Sequence, residues 1–330
     1  MWENQFGRIW MAKAFWMVGK GDSAIKKESL PALKDGWCEL KTVYSSVSPG
    51  TEQLIYNDRV PQKIYKDMAC PYIGGMFPFP VKYGYSLVGK VIKGPENLMD
   101  KLVHVLHPHQ DYCQVRTEDM YVLPENLQAK RAILASNLES AVTAIWDSQV
   151  SIGDRVLVVG FGIVGSLIAR LLSFIAEVQV EIVDVNLKKI ELAKQMDFKA
   201  CFPEEAAKDF DLAFHVSGNG EGLGTAIESV GYEGKIIELS WYGSRRISID
   251  LGETFHSQRK SIISSQVSHI PSSHLARWNI LRRKQTVFSL LLRPEFDSHI
   301  THTVMFDELP DTFLEIKTLS SNGLAFRVKY

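Results

Sequence analysis

Short apolar runs with a two-residue period dominate the first part of the chain. They cover residues 38–44, 85–92, 102–106 and 120–123, and clusters of glycine, proline and aspartate separate them. Such spacing is typical of strands joined by turns. The pattern therefore predicts a mostly antiparallel β domain over about the first 130 residues.

After residue 130 the pattern changes to apolar strands that alternate with helical periods. It predicts strands at 155–160, 178–185, 211–217 and 234–241, with helices at 163–175, 187–196 and 222–230. Strands and helices in alternation form a parallel, doubly wound sheet. Nearer the C-terminus, we predict a long helix within 273–293, a shorter one within 307–319 and a final strand at 324–330.

The composition is that of an ordinary globular protein. Hydrophobic residues make up 45% of the 330 residues, charged residues 23%, and the net charge is −1, which gives nucleic acid no basic surface. Four cysteines (Cys38, Cys70, Cys113 and Cys201) are far apart, which argues against a disulfide framework. Residues 1–8 lack a signal-peptide core, and no apolar run reaches the roughly 18 residues that span a bilayer. We expect a cytoplasmic protein with a small-molecule substrate and neither nucleic-acid nor membrane partners.

A glycine-rich turn follows the first strand of the alternating region. Val-Gly-Phe-Gly-Ile-Val-Gly at 159–165 places Gly160, Gly162 and Gly165 before a helix that begins with Ile163 and Val164. The first glycine permits a tight turn, the second lets the backbone approach a pyrophosphate, and the third lets helix and strand pack closely. The helix N-terminus adds free N–H groups and positive potential. This turn predicts a dinucleotide-binding site.

An aspartate follows the second strand of the same region. Asp184 lies 19 residues after Gly165, close to the spacing at which an acid binds the adenosine ribose hydroxyls. Its carboxylate would repel the 2′-phosphate of NADP, so NAD is favoured. Lys188 and Lys189 follow closely and would attract that phosphate, and NADP therefore remains possible.

Three further segments carry sequence signatures: Val-Ser-Pro-Gly-Thr-Glu at 47–52, Gly-Tyr-Ser-Leu-Val-Gly at 84–89 and Leu-Glu-Ser-Ala-Val-Thr at 138–143. With the order of the two regions, they resemble the medium-chain dehydrogenase/reductase superfamily, the alcohol dehydrogenase-like proteins. The first segment is similar to a branch that includes bacteriochlorophyllide-type dehydrogenases and uncharacterised zinc-binding dehydrogenases. The resemblance implies a GroES-like β-rich catalytic domain at 1–140, a Rossmann nucleotide-binding domain at 141–264, and a segment at 265–330 that returns to the catalytic domain.

The resemblance also implies three positions for ligands of a catalytic zinc. Ser48 stands where zinc enzymes have a cysteine, and Tyr85 and Ser86 replace the last two residues of their Gly-His-Glu motif. Only Glu139 fits a ligand position. One ligand of three does not hold a catalytic zinc, so zinc is not expected.

A cluster of histidines lies in the β region. Leu-Val-His-Val-Leu-His-Pro-His-Gln-Asp-Tyr-Cys at 102–113 contains His104, His107, His109 and Cys113, all residue types that bind zinc. We interpret His104 and Cys113 as ordinary strand residues. For His107 and His109 three interpretations stay open: structural residues in the wall of the substrate cleft, a proton-transfer role, or a rebuilt metal site with Glu139.

The activity that the resemblance implies is hydride transfer between NAD(P) and an alcohol, a carbonyl or an activated double bond. Without zinc the substrate oxygen needs a proton donor. His107 is the first candidate because imidazole titrates near neutral pH, and Tyr85 is the second. Glu139 would orient the imidazole or act as a base, and Ser48 offers a further hydroxyl. Further cofactor contacts are expected at Thr143, Ser217, Leu239, Ser240 and Trp241.

Two other functions stay open, a metal-dependent dehydrogenase with unusual ligands and a non-catalytic NAD(P)-binding sensor or partner subunit. The resemblance implies a homodimer formed through edge strands near 234–251. The basic cluster Arg282-Arg283-Lys284 is expected on the solvated face of the long helix. The apolar stretch 71–80 is expected to line the substrate cleft or to form a packed loop.

Overall fold

The computed structural model describes residues 11–330, so the N-terminal stretch expected to lack a leader lies outside the described residues. The chain divides into two units by its internal contacts. Unit 1 contains the residues up to Ile133, together with Thr303–Ile316 and Phe326–Tyr330. Unit 2 contains Leu134–His302 and Lys317–Ala325.

Unit 1 begins with short strands separated by short helices. The strands are β1 Met11–Gly19, β2 Asp22–Ser29, β3 Trp37–Val47, β4 Gly74–Gly75, β5 Val81–Lys82, β6 Leu87–Lys93, β7 Leu102–Val105, β8 Tyr112–Arg116 and β9 Tyr121–Val122. The helices are α1 Pro49–Tyr56, α2 Tyr65–Met68 and α3 Ala129–Ala132.

Unit 2 consists of strands that alternate with helices. The strands are β10 Arg155–Val159, β11 Gln179–Val183, β12 Lys199–Cys201, β13 Phe210–His215, β14 Val230–Glu238 and β15 Ser261–Ser264. The helices are α4 Ala135–Ser148, α5 Ile163–Leu172, α6 Leu187–Gln195, α7 Gly220–Ser229, α8 Thr254–Ser257, α9 Ser272–Leu275 and α10 Ile280–Leu290. The strands pair in parallel in the order β12-β11-β10-β13-β14-β15. This order is that of dinucleotide-binding folds and confirms the predicted doubly wound sheet.

The C-terminal segment adds β16 Ile300–Met305, α11 Leu309–Asn322 and β17 Ala325–Lys329. One sheet has the order β2-β1-β5-β4, and a second has the order β16-β17-β3-β6-β7-β9 with β8 also paired to β3. The pairs β3–β6, β6–β7, β3–β8 and β17–β3 are antiparallel. The predicted antiparallel β region and the final strand are therefore confirmed.

The alternation of apolar residues explains the core of unit 1. Val103 and Val105 on β7 and Cys113 and Val115 on β8 are buried in one cluster with Leu40 of β3. In a strand, residues two apart face the same side, so each short apolar run contributes one face to this core.

The long helix predicted within 273–293 is instead two helices, α9 and α10. The side chain of Asn279 accepts a hydrogen bond from the backbone N–H of Arg282 at 2.8 Å and caps α10. Such a cap satisfies a free N–H of the first helical turn, so a new helix begins there. The prediction of one continuous helix was wrong.

Residues 265–302 lie in unit 2, whereas the sequence predicted that they return to the catalytic domain. Both α9 and α10 contact α4, which lies in unit 2. These contacts explain why residues 265–302 belong to unit 2. The chain re-enters unit 1 at Thr303.

The strand within 234–251 is not an edge strand. It is β14, and it pairs with β13 on one side and β15 on the other. The dimer contact predicted near 234–251 therefore lacks a free strand, and the free edge on this side of the sheet belongs to β15. No helix within residues 11–330 is long and apolar enough to cross a membrane.

Candidate functional site

The glycine-rich turn joins β10 to α5 at the carboxyl edge of the parallel sheet. Gly160 has φ +105°, and a Cβ there would lie 2.8 Å from the Cα of Ser217. A Cβ on Gly165 would collide with the carbonyl oxygen of Gly160. Packing within the protein thus requires both glycines.

Gly162 differs from the other two glycines. Its φ is −80°, which any residue adopts, and a Cβ there would meet no heavy atom within 4 Å. Gly162 is the N-cap residue of α5 and brings no side chain to the free N–H groups of the first turn. Nothing in the fold itself requires glycine here, so the open space and the free donors fit a bound anion such as a pyrophosphate.

Asp184 follows β11, which neighbours β10 in the sheet. Its Oδ2 accepts from the backbone N–H of Phe161 at 2.8 Å, and its Oδ1 accepts from that of Asn186 at 2.9 Å. These bonds fix a carboxylate beside the glycine turn, where an acid that binds ribose hydroxyls is required.

The two lysines after Asp184 have different environments. Lys188 is exposed, whereas Lys189 is buried and its ammonium donates to the carbonyl oxygen of Gly323. Burial lowers the pKa of Lys189 to about 8. Because its ammonium is bound to Gly323, Lys189 interacts with the chain segment that follows α11.

A polar cluster lies at the carboxyl ends of β13 and β14. His215 Nδ1 donates to Glu238 Oε2 at 2.7 Å, and its Nε2 lies 2.7 Å from the hydroxyl of Ser217. The Ser240 N–H and the Tyr242 hydroxyl also donate to Glu238, at 2.6 and 3.1 Å. Burial acts to raise the pKa of Glu238, but the hydrogen bond and charge of His215 and the Ser240 donor outweigh it, and the pKa is lowered.

Among the predicted cofactor contacts, Ser217 and Ser240 belong to this cluster. Leu239 donates from its backbone N–H to His215 O at 3.1 Å, and Trp241 is half-buried. The sequence reasoning missed His215, Glu238 and Tyr242. The available signal was two ionisable residues at the ends of adjacent apolar strands.

In unit 1, the hydroxyl of Tyr85 is hydrogen-bonded to those of Ser48 and Thr51. Burial raises the pKa of Tyr85 to about 12, although these hydrogen bonds act in the opposite direction. The phenol is thus protonated at neutral pH. Ser48 precedes α1, and Tyr85 precedes β6, so two different elements position the hydroxyls.

A buried hydrogen-bonded pair lies next to Ser48. Glu52 and His109 are fully buried, with 3.0 Å between Oε2 and Nε2. The other oxygen of Glu52 accepts from the Ser48 N–H at 2.7 Å, and His109 Nδ1 lies 2.7 Å from the Ser45 hydroxyl. Both ring nitrogens of His109 and both oxygens of Glu52 are therefore engaged within unit 1.

His107 is buried, and its Nδ1 donates to the carbonyl oxygen of Pro108 at 2.8 Å. Burial lowers the pKa of His107 to about 3. The expectation that this imidazole titrates near neutral pH was therefore wrong, because desolvation disfavours the charged ring. His104 is a buried strand residue whose Nε2 lies 3.3 Å from the Ser86 hydroxyl, and Cys113 is buried on β8.

Glu139 lies in unit 2, buried on α4 with two cations. Lys284 Nζ is 2.5 Å from Glu139 Oε2, and Arg283 Nε is 3.3 Å from Oε1. Arg283 also donates to the Thr143 hydroxyl at 3.0 Å and to the Val267 carbonyl at 2.7 Å. Arg283 and Lys284 are 3% and 1% exposed, which contradicts the predicted solvated face; only Arg282 is exposed. The glutamate that attracts them is 144 and 145 positions away in the sequence.

The apolar stretch 71–80 is partly packed. Phe77 is buried, and its ring contacts those of Tyr65 and Tyr83 at centroid distances of 5.4 and 5.9 Å. Met76 is 73% exposed. Phe77 thus packs against its neighbours, whereas Met76 lies on the surface.

The residues at the three zinc positions that the resemblance implies do not fit that metal. Ser48 and Tyr85 offer neutral hydroxyls where zinc requires thiolate, imidazole or carboxylate, and the Glu139 carboxylate is already neutralised by Arg283 and Lys284. Within residues 11–330 no group of three or more His, Cys, Asp and Glu residues is arranged to hold a metal ion.

Comparison with known proteins gives distant relatives. No family model matches the chain. The D-guloside 3-dehydrogenase of Escherichia coli strain K12 is 22% identical over 207 residues, which are 58% of this chain and 59% of that protein. The probable D-xylulose reductase A of Emericella nidulans is 26% identical over 148 residues, 42% of this chain and 41% of that protein. The matched part of the chain spans about three fifths or less of these relatives' length.

Solved structures match over nearly the whole chain. The 2R,3R-butanediol dehydrogenase of Bacillus subtilis has a TM-score of 0.77 at 17% identity and covers 97% of this chain and 99% of its own. Acetophenone reductase of Geotrichum candidum, in complex with NAD, has a TM-score of 0.78 at 14% identity and covers 98% and 99%. The expected GroES-like and Rossmann fold class is confirmed. The chain therefore has the fold of these dehydrogenases and is distantly similar in sequence to a dehydrogenase and a reductase.

Proposed function

We propose that the protein is a nicotinamide-dependent oxidoreductase that transfers hydride between the cofactor and an alcohol or carbonyl substrate. The observation that carries the proposal is the open space at Gly162 beside the tethered carboxylate of Asp184. The free N–H groups of α5 would hold the pyrophosphate, and Asp184 would bind the adenosine ribose. The relatives named above are dehydrogenases and reductases, which supports the same class of activity.

NAD is the preferred cofactor in this proposal. In this proposal, the Asp184 carboxylate would bind the adenosine ribose hydroxyls and would repel the 2′-phosphate of NADP. The two bonds from Phe161 and Asn186 hold the carboxylate in place. Because Lys189 is bound to Gly323, of these two lysines the exposed Lys188 is the one left to attract a 2′-phosphate. Titration with NADH and NADPH should give the lower Kd for NADH.

When bound, the cofactor supplies the hydride acceptor or donor. The chain must then supply a proton to the substrate oxygen, and Tyr85 is the residue that we propose for this step. Its hydroxyl is protonated at neutral pH and is oriented by Ser48 and Thr51. His107 was the first candidate for the proton donor from the sequence. It is not proposed for this step, because its ring stays neutral and its Nδ1 is hydrogen-bonded to the carbonyl oxygen of Pro108.

We also propose that catalysis is independent of zinc. Neutral hydroxyls at Ser48 and Tyr85 and the paired Glu139 support this part of the proposal. Protein purified without chelator should contain well below one zinc per chain by elemental analysis. About one zinc per chain would instead support a metal-dependent dehydrogenase with unusual ligands.

The activity is tested by mixing the purified protein with NADH and a panel of ketones, aldehydes and keto-sugars. Loss of NADH absorbance at 340 nm (~10⁻³ s⁻¹ per site or faster) with at least one of them supports the proposal. Tight NADH binding without turnover on any substrate would favour a non-catalytic sensor. Absence of NADH binding would contradict both.

A further inference from the structure

Arg245 lies beside the loop that touches the glycine turn. The backbone of Gly160 packs against Ser217 so closely that a Cβ would come within 2.8 Å of the Ser217 Cα. The next residue, Gly218, accepts a hydrogen bond from Nη2 of Arg245 through its carbonyl oxygen at 2.7 Å. The guanidinium therefore contacts Gly218, which directly follows the residue that packs against Gly160.

The polar cluster at the ends of β13 and β14 fixes this loop. The Ser240 hydroxyl accepts from the Gly218 N–H at 3.1 Å, and the Ser217 hydroxyl accepts from the Asn219 N–H at 3.2 Å. Ser217 is in turn bound to His215. Two side chains from the segment after β14 thus bind the backbone of Gly218: Ser240 accepts from its N–H, and Arg245 donates to its carbonyl.

The charge of Arg245 has no carboxylate partner in the part of the chain that the structure describes. Among the described residues 11–330, no carboxylate lies within salt-bridge distance of its guanidinium, and the side chain is exposed. Its guanidinium donates hydrogen bonds to two backbone carbonyls, those of Gly218 and Tyr242. The carboxylate nearest in this cluster, Glu238, already accepts from His215, Ser240 and Tyr242. A guanidinium has five N–H donors, so it keeps donors free for an anion.

We propose that Arg245 binds a phosphate of the dinucleotide whose pyrophosphate lies on the Gly160–Gly162 turn. This rests on the proposed function, because it assigns a further residue to the same cofactor site. The turn supplies neutral backbone donors. Arg245 supplies a positive charge, which the turn itself does not offer to the pyrophosphate. The Gly218 clamp orders the side chain in advance, which reduces the entropy lost on binding.

The test compares three substitutions of Arg245 by calorimetric titration with NADH and with ADP-ribose, which has the pyrophosphate but no nicotinamide. Arg245→Ala and Arg245→Gln should raise the Kd of both ligands by roughly 10- to 100-fold, because a charge-assisted hydrogen bond is lost. Glutamine can still donate to Gly218, so its failure to restore binding separates charge from loop support. Arg245→Lys keeps the charge and should recover most of the affinity.

Arg246→Ala is the matched control, because Arg246 is the exposed neighbour of Arg245. The Arg246→Ala protein should bind both ligands like the wild type. Added NaCl should weaken binding to the wild type more steeply than to Arg245→Ala, since a charge contact is screened. Equal affinity in wild type and Arg245→Ala, a loss restricted to NADH, or full binding by Arg245→Gln would overturn the proposal. A wild-type protein that binds neither ligand would instead refute the proposed function.

Discussion

At the scale of single residues, the proposed proton transfer depends on the hydroxyl of Tyr85, whose protonation is set by burial. Tyr85 keeps its proton at neutral pH and shares hydrogen bonds with Ser48 and Thr51. Such a phenol can donate to a developing alkoxide without a metal, and a single good donor typically changes the rate by about 10² or more.

We expect Tyr85→Phe to lower turnover by roughly 10²-fold with little change in NADH affinity, because other residues hold the cofactor. Tyr83→Phe is the matched control: its hydroxyl donates to the Met68 carbonyl at 3.2 Å, and its loss should reduce stability slightly and leave turnover intact. Steady-state kinetics with titrated Kd values make the comparison. Wild-type turnover in Tyr85→Phe would exclude it as the proton donor.

Burial of His107 gives stability a defined dependence on pH. The folded-state pKa is about 3 and the ordinary value is 6.5. Below pH 6.5 the His107 ring of the unfolded chain takes up a proton, whereas the ring of the folded chain does so only at about pH 3. The free energy of unfolding therefore falls as the pH is lowered through this window. From pH 7.5 to about pH 5 the loss due to this histidine should be about 2 kcal/mol.

Urea unfolding at the two pH values measures this loss. His107→Gln should show a smaller drop in unfolding free energy than the wild type, whereas His269→Gln, at an exposed histidine, should show the wild-type drop. An identical pH dependence in wild type and His107→Gln would mean that the ring accepts a proton in the folded state.

The sequence predicted residues whose roles are set by neighbours in the chain. Gly160, Gly162 and Gly165 follow from the strand–turn–helix context, and Asp184 follows from its spacing. It did not predict the pairs His109–Glu52 and His215–Glu238, because their members are 57 and 23 positions apart. It also misjudged His107, since the desolvation that lowers its pKa depends on the folded surroundings.

At the scale of elements, α10 shows that a carboxylate far away in the sequence can bury basic residues that a charged run predicts to be exposed. Its basic residues were assigned to a solvated face because charged side chains are rarely buried without partners. The partner is Glu139 on α4, and this contact buries Arg283 and Lys284. Burial acts to lower the pKa of Lys284, and the charge and hydrogen bond of Glu139 oppose it.

Removing one member of this cluster should be costly. Lys284→Ala leaves the buried carboxylate with Arg283 alone and should lower the free energy of unfolding by about 3–5 kcal/mol. Gln285→Ala, at the exposed neighbouring position of the same helix, should change it by less than about 0.5 kcal/mol. Chemical denaturation of both variants gives the two values. Equal, small effects would show that the buried pair contributes nothing to the fold.

At the scale of the whole molecule, the periodicities predicted the antiparallel β region, the parallel sheet and the order of the two regions. The boundary at 265 could not be placed, because it depends on the packing of α9 and α10 against α4 rather than on any local pattern. The edge of the parallel sheet was also misplaced, since β15 is a short strand that the apolar pattern did not reveal.

We propose that the protein forms a homodimer through the free edge of β15. The Ser265 N–H donates inward to Glu238 O at 3.0 Å, so the alternation of a strand directs the Ser264 N–H to the free edge. Ser264→Pro removes this outward donor and should convert a dimer into a monomer, whereas Ser264→Ala should leave the dimer intact. Light scattering at micromolar concentrations measures the masses. A monomeric wild type, or a dimeric Ser264→Pro variant, would contradict the proposed contact.

In the proposed function, the glycine turn of unit 2 holds the pyrophosphate of a nicotinamide cofactor. Gly162→Val fills space that the fold leaves empty, because a Cβ there meets no protein atom within 4 Å. Gly224 on α7 is equally open, so Gly224→Val adds the same side chain away from the turn. In calorimetric titration with NADH, we predict that Gly162→Val raises the Kd at least about 100-fold, equivalent to about 2.7 kcal/mol, while Gly224→Val binds like the wild type. Equal NADH affinity in all three proteins would contradict the account.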